Sequence, residues 1–288
     1  MRESMFYHAE GDHLRCELCP RQCIMAEGKS GFCRGRKALA GKLYAINYGE
    51  TVSLALDPIA KKPLYHFHPH SEILSLGPNS CNLSCSFCQN WEISQQECPT
   101  RFLGIAELGS IVLAQPQHQV AFTYSEPTMW YEYIHDFALA FPEIEIVLVT
   151  NAYLNSEPWD KLLPHIKAMN IDLKSMRDEF YAQQCGARLD PVLKNIKAAY
   201  NAGVHLELTN LLIPGLNDSQ KEILELAEFI ASIDDTIPLH ISAYHPCHRL
   251  TKPATTTGQI ETACDLAARK LKHVYAGNVY LPKYGRKP

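Results

Sequence analysis

The sequence has no long apolar run. Its best candidate, residues 144–150, is interrupted by Glu145 and falls well short of the roughly 20 residues a membrane span needs. It has no block of a single charge either: 27 Lys and Arg against 31 Asp and Glu leave a net charge of −4, and no basic stretch stands out. Charge therefore gives no support to nucleic-acid or membrane-surface binding. Met1-Arg2-Glu3-Ser4 is followed by polar residues rather than by the apolar core of a signal peptide. Disorder is excluded, because 46% of the 288 residues are hydrophobic and only 20% charged. That is enough chain for one large domain, or for a core domain with a small appendage.

Cysteine is what the sequence has in excess. There are 11, an odd number, and seven of them fall in two tight clusters. A disulfide scaffold is usually shorter and carries an export signal, so clustered cysteines without one point to metal. Residues 10–36 form a Cys- and Gly-rich knot with little hydrophobic periodicity, which needs a staple to stay folded. Cys16, Cys19, Cys23 and Cys33 have the four-thiolate count of a structural zinc or an iron site. Their spacing is not the ferredoxin run, so a single metal, zinc before iron, is expected over further clusters. Residues 43–47 and 51–56 flank Tyr48-Gly49-Glu50 and read as a short hairpin. In the Lys-, His- and Pro-rich stretch that follows, His66, His68 and His70 would share one face if extended, as a metal face or a lid. The stretch reads better as an ordered arm packing Leu64, Tyr65 and Phe67.

From residue 73 the texture becomes strand, then helix, repeatedly. Short apolar runs at 73–77, 119–123, 145–150, 168–173, 205–212 and 239–244 are separated by stretches long enough for crossover helices. Asp190-Pro191 marks one helix start, with Gly203 past its end. Ser219 and Glu222 form a capping box for another. The expected fold is α/β, a partial (β/α)6 TIM-type barrel over residues 71–288, with an N-terminal Cys-rich metal-binding segment and hairpin arm over residues 1–70. In such a fold, function sits at the C-terminal ends of the strands.

After the first of these strands comes Asn79-Ser80-Cys81-Asn82-Leu83-Ser84-Cys85-Ser86-Phe87-Cys88-Gln89-Asn90. Thiolates suit iron–sulfur clusters or zinc. A four-iron cluster normally takes four cysteines, so a triplet leaves one iron free for a substrate or cofactor. Cys98, ten residues on, would instead complete a zinc site. Among the strand ends, Thr123-Tyr124-Ser125-Glu126-Pro127-Thr128, Thr150-Asn151, Asp172-Leu173-Lys174 and Thr209-Asn210 offer polar groups toward the same end. Asp172 and Lys174 read equally as cofactor contacts or as a salt bridge. His245, past the last strand, is a better substrate contact than His240, and Cys185, Cys247 and Cys264 read as ordinary.

The CxxxCxFC pattern of Cys81, Cys85, Phe87 and Cys88 resembles the defining loop of the radical S-adenosylmethionine (SAM) enzymes. Cys16-x2-Cys19-Pro20-x2-Cys23 with Gly28, Gly31 and Cys33 resembles the N-terminus of the pyruvate formate-lyase-activating-enzyme-related branch. Within it, Asp57-Pro58, Lys61-Lys62-Pro63-Leu64-Tyr65-His66-Phe67 and Cys88-Gln89-Asn90-Trp91-Glu92-Ile93-Ser94 are similar to stretches of the AmmeMemoRadiSam-system radical SAM enzymes. The resemblance departs at the end: members of that group often finish on a cysteine pair, where this sequence has Tyr284-Gly285-Arg286-Lys287-Pro288.

The resemblance implies that Cys81, Cys85 and Cys88 ligate a 4Fe-4S cluster whose fourth iron holds SAM. It implies SAM contacts from Phe87, Ser125, Glu126, Thr150, Asn151, Asp172 and Lys174, with Ser125 and Glu126 meeting the SAM amino group and the Ile213-Pro214-Gly215-Leu216-Asn217-Asp218 loop approaching adenine. Reductive cleavage of SAM would give a 5′-deoxyadenosyl radical that abstracts hydrogen from an unidentified substrate. That substrate could be a protein partner, as for glycyl-radical activases, or involve Memo-like or AMMECR-type proteins. A flavodoxin or ferredoxin would donate the electron, and the oxygen sensitivity of the cluster implies a cytoplasmic setting. The residues alone leave one alternative from another class, a non-catalytic zinc-binding scaffold or partner-binding protein. They single out no catalytic residue.

Overall fold

The computed structural model describes residues 1–285; Arg286, Lys287 and Pro288, the end of the stretch where the resemblance departs, lie outside the described residues. Eight strands build the core: β1 (Glu50–Pro58), β2 (Glu72–Pro78), β3 (Gln119–Phe122), β4 (Glu145–Thr150), β5 (Ala168–Asp172), β6 (His205–Leu212), β7 (Leu239–Ala243) and β8 (Val274–Gly277). From β2 to β8 each strand pairs in parallel with the next. Helices on the connections bury their apolar faces against the sheet, which is why these strands are continuous hydrophobic runs rather than alternating ones.

The sheet carries one parallel strand more than the six expected. The extra strand, β8, is the four-residue Val-Tyr-Ala-Gly, too short for its periodicity to announce it. The hairpin expected between residues 43–47 and 51–56 does not form. Lys42–Ala45 pairs with Arg36–Leu39 and Arg2–Glu3 in a small separate sheet. Residues 51–56 belong to β1, which crosses to the core and pairs antiparallel with β2, its outer edge closed by the two-residue strand Arg101–Phe102. Gly49 makes the divergence, with φ +75° and a Cβ position that would lie 2.8 Å from the Phe102 ring. A local turn signal identified two strands here, but the long antiparallel pairing of β1 along the open edge of β2 outweighed pairing across the turn.

Of the helix signals, Ser219 caps Gln220–Ala231 by accepting from the Glu222 amide, but Glu222 does not return the bond. Its buried carboxylate goes instead to Ser175, the Met176 amide and Arg177, tying the helix to the segment after β5. Pro191 lies in the first turn of Asp190–Asn201, as its fixed φ favours.

The Lys- and His-rich arm packs under the N-terminal ends of the strands. Leu64 is buried, the Tyr65 and His66 amides donate to Glu207 of β6 at 3.0 and 2.7 Å, and His68 meets Glu145 at the start of β4. His66 and His68 thus face away from the cysteine triplet. His240 points the same way, 2.7 Å from Glu207 and stacked near Tyr275.

Glu207 is therefore a buried acceptor for two amides, His205 and His240, and although burial opposes ionisation these bonds hold its pKa down to about 2. A depressed carboxylate stabilises the fold fully above its unfolded value near 4.3 and loses that contribution as pH falls toward 2, at about 1.4 kcal/mol per unit of difference. Glu207→Gln should cost on the order of 3 kcal/mol at pH 7 in urea unfolding. It should also flatten the loss of stability between pH ~4.5 and ~2. An unchanged acid profile in the variant would refute this account.

Candidate active site

The chain turns sharply after β2, β3 and β4. Gly77, near the end of β2, lets the end of β3 come close, because a Cβ there would lie 2.0 Å from the Thr123 carbonyl oxygen. Tyr124 and Ala152, just past β3 and β4, hold φ of +68° and +52°, sparsely populated for residues with a Cβ. These turns fold the strand-end residues back over the sheet. One cavity of about 590 Å³ results, and strand-end residues from β2 round to β8 line it.

Cys81, Cys85 and Cys88 are on its wall, as are Phe87, Ser125, Glu126, Thr150, Asn151, Asp172, Lys174 and Thr209. The structure thus brings the cysteine triplet, the seven residues that the resemblance assigns to SAM and Thr209 to one cavity. His245 and Cys98 are not part of the lining; the Cys98 amide instead donates to Asn79. Asn210 is buried, donating to the Leu173 carbonyl at 2.8 Å, and the residues of the 213–218 loop are likewise outside the lining. Cys185 and Cys247 are not ordinary core residues. Cys185 hydrogen-bonds Cys85, which holds Cys85 the more acidic of the two, and the Cys247 thiol reaches the Cys88 carbonyl at 3.5 Å.

Hydrogen-bond donors already surround the sulfurs. The Leu83 amide lies 3.3 Å and the Asn151 side-chain amide 3.9 Å from Cys81 Sγ, and Ser94 Oγ is 3.2 Å from Cys88 Sγ. Burial pushes the Cys81 and Cys88 thiols up, so both stay protonated until a metal takes the proton's place. Lys174, 2.9 Å from Asp172, brings a fixed cation: burial opposes its charge, but Asp172 and the nearby Cys85 and Cys185 sulfurs hold it well above the usual lysine range. A soft three-sulfur wall with amide donors and a lysine fits an iron–sulfur cluster, whose thiolates carry negative charge and accept such bonds.

The Glu126 carboxylate is spent within the protein, which leaves its backbone carbonyl as the group to face a SAM ammonium. Glu126 is 1% exposed and its carboxylate fully engaged. One oxygen accepts from the Thr128 amide (3.0 Å), Thr128 Oγ1 (2.6 Å) and Thr150 Oγ1 (2.7 Å), the other from the Asn151 amide (2.8 Å). It clamps the end of β4 to the loop after β3. Ser125 Oγ is likewise spent on the Pro78 carbonyl at 2.5 Å.

Sequence reasoning missed the far end of the cavity. Asp57, Lys61, Lys62 and Tyr124 line it, reached from β1 and the start of the arm. Asp57 pairs in register with Ile73, the second residue of β2, so the cavity runs down the inner face of the sheet. Asp57 accepts from Lys62 Nζ and Tyr124 OH, each at 2.8 Å. Burial opposes its charge but these bonds hold it at about 2; burial and Asp57 raise Tyr124 to about 12, and burial lowers Lys62. Only three-dimensional proximity joins residues 57 and 124.

Glu126→Ala should leave the Asn151 and Thr128 amides without acceptors in a water-free space. The expected loss is on the order of 2–4 kcal/mol in chemical unfolding, with weakened SAM binding by calorimetry. A variant as stable as the parent would refute the clamp.

The family model described as the radical SAM superfamily matches residues 77–230. The chain is 42% identical to the uncharacterized protein MJ0808 of Methanocaldococcus jannaschii, over 97% of this chain and 86% of that protein. It is 28% identical over 130 residues to a 4-hydroxyphenylacetate decarboxylase activating enzyme of Clostridioides difficile, a match covering 44% of this chain and 41% of that enzyme. The SAM-bound structure of Streptococcus suis SuiB shares the fold over 69% of this chain and 48% of its own, with a TM-score of 0.56 at 17% identity. With more than half its length inside that family model and its three cysteines on the wall of the cavity, the chain belongs to the radical SAM superfamily.

Proposed function

We propose that Cys81, Cys85 and Cys88 hold the 4Fe-4S cluster that the family implies, and that SAM lies between them and the ends of β3–β6. The single observation that carries this reading is the convergence of the triplet with Phe87, Thr150, Asn151, Asp172 and Lys174 on one cavity. When bound, the cluster and SAM together supply one-electron cleavage to a 5′-deoxyadenosyl radical, which abstracts hydrogen from the substrate. The protein's own residues do the rest. Leu83, Ser94 and Asn151 donate to the sulfurs, Lys174 balances their charge, and the Glu126 clamp keeps Asn151 in place. A scaffold zinc would leave the large cavity and its polar lining without a role, which weighs against the zinc-scaffold alternative.

The inner end of the cavity is the proposed substrate site. The Lys62 ammonium and the Asp57 carboxylate are buried against each other beside Tyr124, a pair that can orient a polar group by charge-assisted bonds. The similarity to activating enzymes supports a protein partner as substrate, a residue of which enters the cavity. The resemblance of the arm to AmmeMemoRadiSam members favours Memo-like or AMMECR-type proteins as that partner. A flavodoxin or ferredoxin is the proposed electron donor, and a reducing cytoplasm the proposed setting. Among the described residues no helix is long and apolar enough to cross a membrane.

After anaerobic reconstitution with iron and sulfide, dithionite and SAM should yield 5′-deoxyadenosine, and Cys85→Ala should abolish it. No product from a protein carrying the four-iron cluster would overturn the reaction class. With candidate partners, paramagnetic resonance should reveal a partner-centred radical; a diamagnetic partner with full deoxyadenosine formation would overturn the activase reading. Lys62→Met should lower substrate-dependent turnover by about tenfold to a hundredfold, the scale of one charge-assisted bond, while uncoupled SAM cleavage persists. Equal loss of both would remove Lys62 from the substrate site.

A further inference from the structure

The four N-terminal cysteines form a site of their own. Cys16 ends the strand His13–Cys16, and its amide donates to the Cys23 carbonyl at 2.9 Å, closing a loop that carries Cys19. A second turn, in which the Gly31 amide donates to Arg36 at 2.9 Å, carries Cys33. All four are free thiols and line one small enclosed cavity with Arg36 and Met129. Cys16, Cys19 and Cys33 are buried, and Cys23 is half-buried.

Arg36 leaves a buried donor on the cavity wall. It is 1% exposed; its guanidinium donates to Glu132 at 2.6 Å and to the Met129 carbonyl at 3.1 Å. Its Nε lines no such bond and is a buried donor without a partner. An unpaired buried N–H costs on the order of 1–3 kcal/mol, and four neutral thiols are poor acceptors. Thiolates around a metal are good ones, and would supply the acceptor that Glu132 and Met129 leave the Nε without. Four sulfurs about one zinc would stand roughly 3.8 Å apart, from tetrahedral bonds of about 2.3 Å. Among the described residues, no set of three or more Cys, His, Asp or Glu side chains is arranged to hold a single ion, and this includes the Cys81, Cys85 and Cys88 triplet. The same holds for the N-terminal four.

The site lies against the catalytic loop. The Cys33 carbonyl accepts from Ser80 Oγ at 2.7 Å, and Ser80 is bonded to Cys81. Arg21, in the loop between Cys19 and Cys23, donates to the Asn82 carbonyl and at 2.7 Å to that of Gly186. On the outer side, Cys23 opens into a surface groove rimmed by Arg21, Phe32 and Arg188. We propose that Cys16, Cys19, Cys23 and Cys33 hold a second iron–sulfur cluster, in place of the single zinc the spacing suggests. This cluster takes one electron from an acidic low-potential protein donor docked at the arginine-rimmed groove. It passes that electron through Cys33 and Ser80 to the cluster at Cys81, Cys85 and Cys88. The donor is oxidised and the catalytic cluster reduced by one electron; no bond forms or breaks. The relay rests on the radical SAM reading, whereas the second cluster does not.

The test separates them. Reconstituted anaerobically with iron, sulfide and zinc, the parent should bind about eight irons per chain. The C81A/C85A/C88A variant should bind about four irons and four sulfides. Its dithionite-reduced form should give a paramagnetic signal that SAM leaves unchanged. Zinc in place of iron in a folded triple variant, or a folded one without metal, overturns the second cluster. A parent with only about four irons, all lost in the triple variant, does so too. For the relay, C19S/C33S should keep about four irons and the SAM-sensitive signal. Stopped-flow reduction of its catalytic cluster by reduced flavodoxin should be at least tenfold slower, with dithionite reduction unchanged. Equal rates with flavodoxin overturn the relay. Should C19S/C33S misfold, Arg188→Glu, a rim residue outside both clusters, should slow flavodoxin reduction at low salt; unchanged kinetics there count against it equally.

Discussion

One buried carboxylate holds the cavity in shape. Glu126 spends both oxygens on Thr128, Thr150 and Asn151, and so fixes the relative position of the chain leaving β3 and the chain leaving β4. Burial raises its pKa while four hydrogen bonds oppose the rise, so the clamp works only where water is kept out. Asn151, once placed, reaches both Cys81 and Asn82, and Asn82 in turn donates to the Tyr153 carbonyl at 2.7 Å. The cysteine loop therefore inherits its geometry from the strand ends rather than from its own sequence. The left-handed residues Tyr124 and Ala152 are tolerated because this network over-determines them.

Charge is arranged in compensating pairs along the cavity. Near the cysteines, Lys174 and Asp172 offset each other while Lys174 remains within electrostatic reach of Cys85. At the inner end Lys62 and Asp57 do the same with Tyr124 as third member. Beneath the sheet, Glu207 collects the arm that carries Lys61 and Lys62, so the inner end of the cavity depends on a carboxylate at the opposite mouth from the cysteines. A buried charge without a partner would be costly at each place, and none of these three lacks one.

The N-terminal segment follows a different rule. Its two small sheets bury little by themselves, and it is secured by the Arg36–Glu132 ion pair, by the Trp130 indole donating to the Asn47 carbonyl at 2.6 Å, and by Ser80 on Cys33. Those contacts join it to the elements that carry Glu126 and the cysteine triplet. A metal there would staple a segment too small for its own core and stiffen the site beside it.

Local pattern sufficed for the parallel strands, because strands covered on both faces must be apolar along their length. It sufficed for the triplet, whose spacing is a property of a dozen consecutive residues. It failed for the four-residue β8 and for β1, where competition for a sheet edge outweighed a turn signal. It also failed where chemistry is shared between distant residues. That Asp57 meets Tyr124, that Glu126 is consumed by Thr150 and Asn151, that His240 turns to Glu207, and that Arg36 lies beside four cysteines are consequences of register and burial. Sequence by itself determined most of the element types and the spacing of the cysteines, since both are encoded in short-range order. Only the tertiary structure decided which polar groups are desolvated together, since that depends on how the strands align and what covers them.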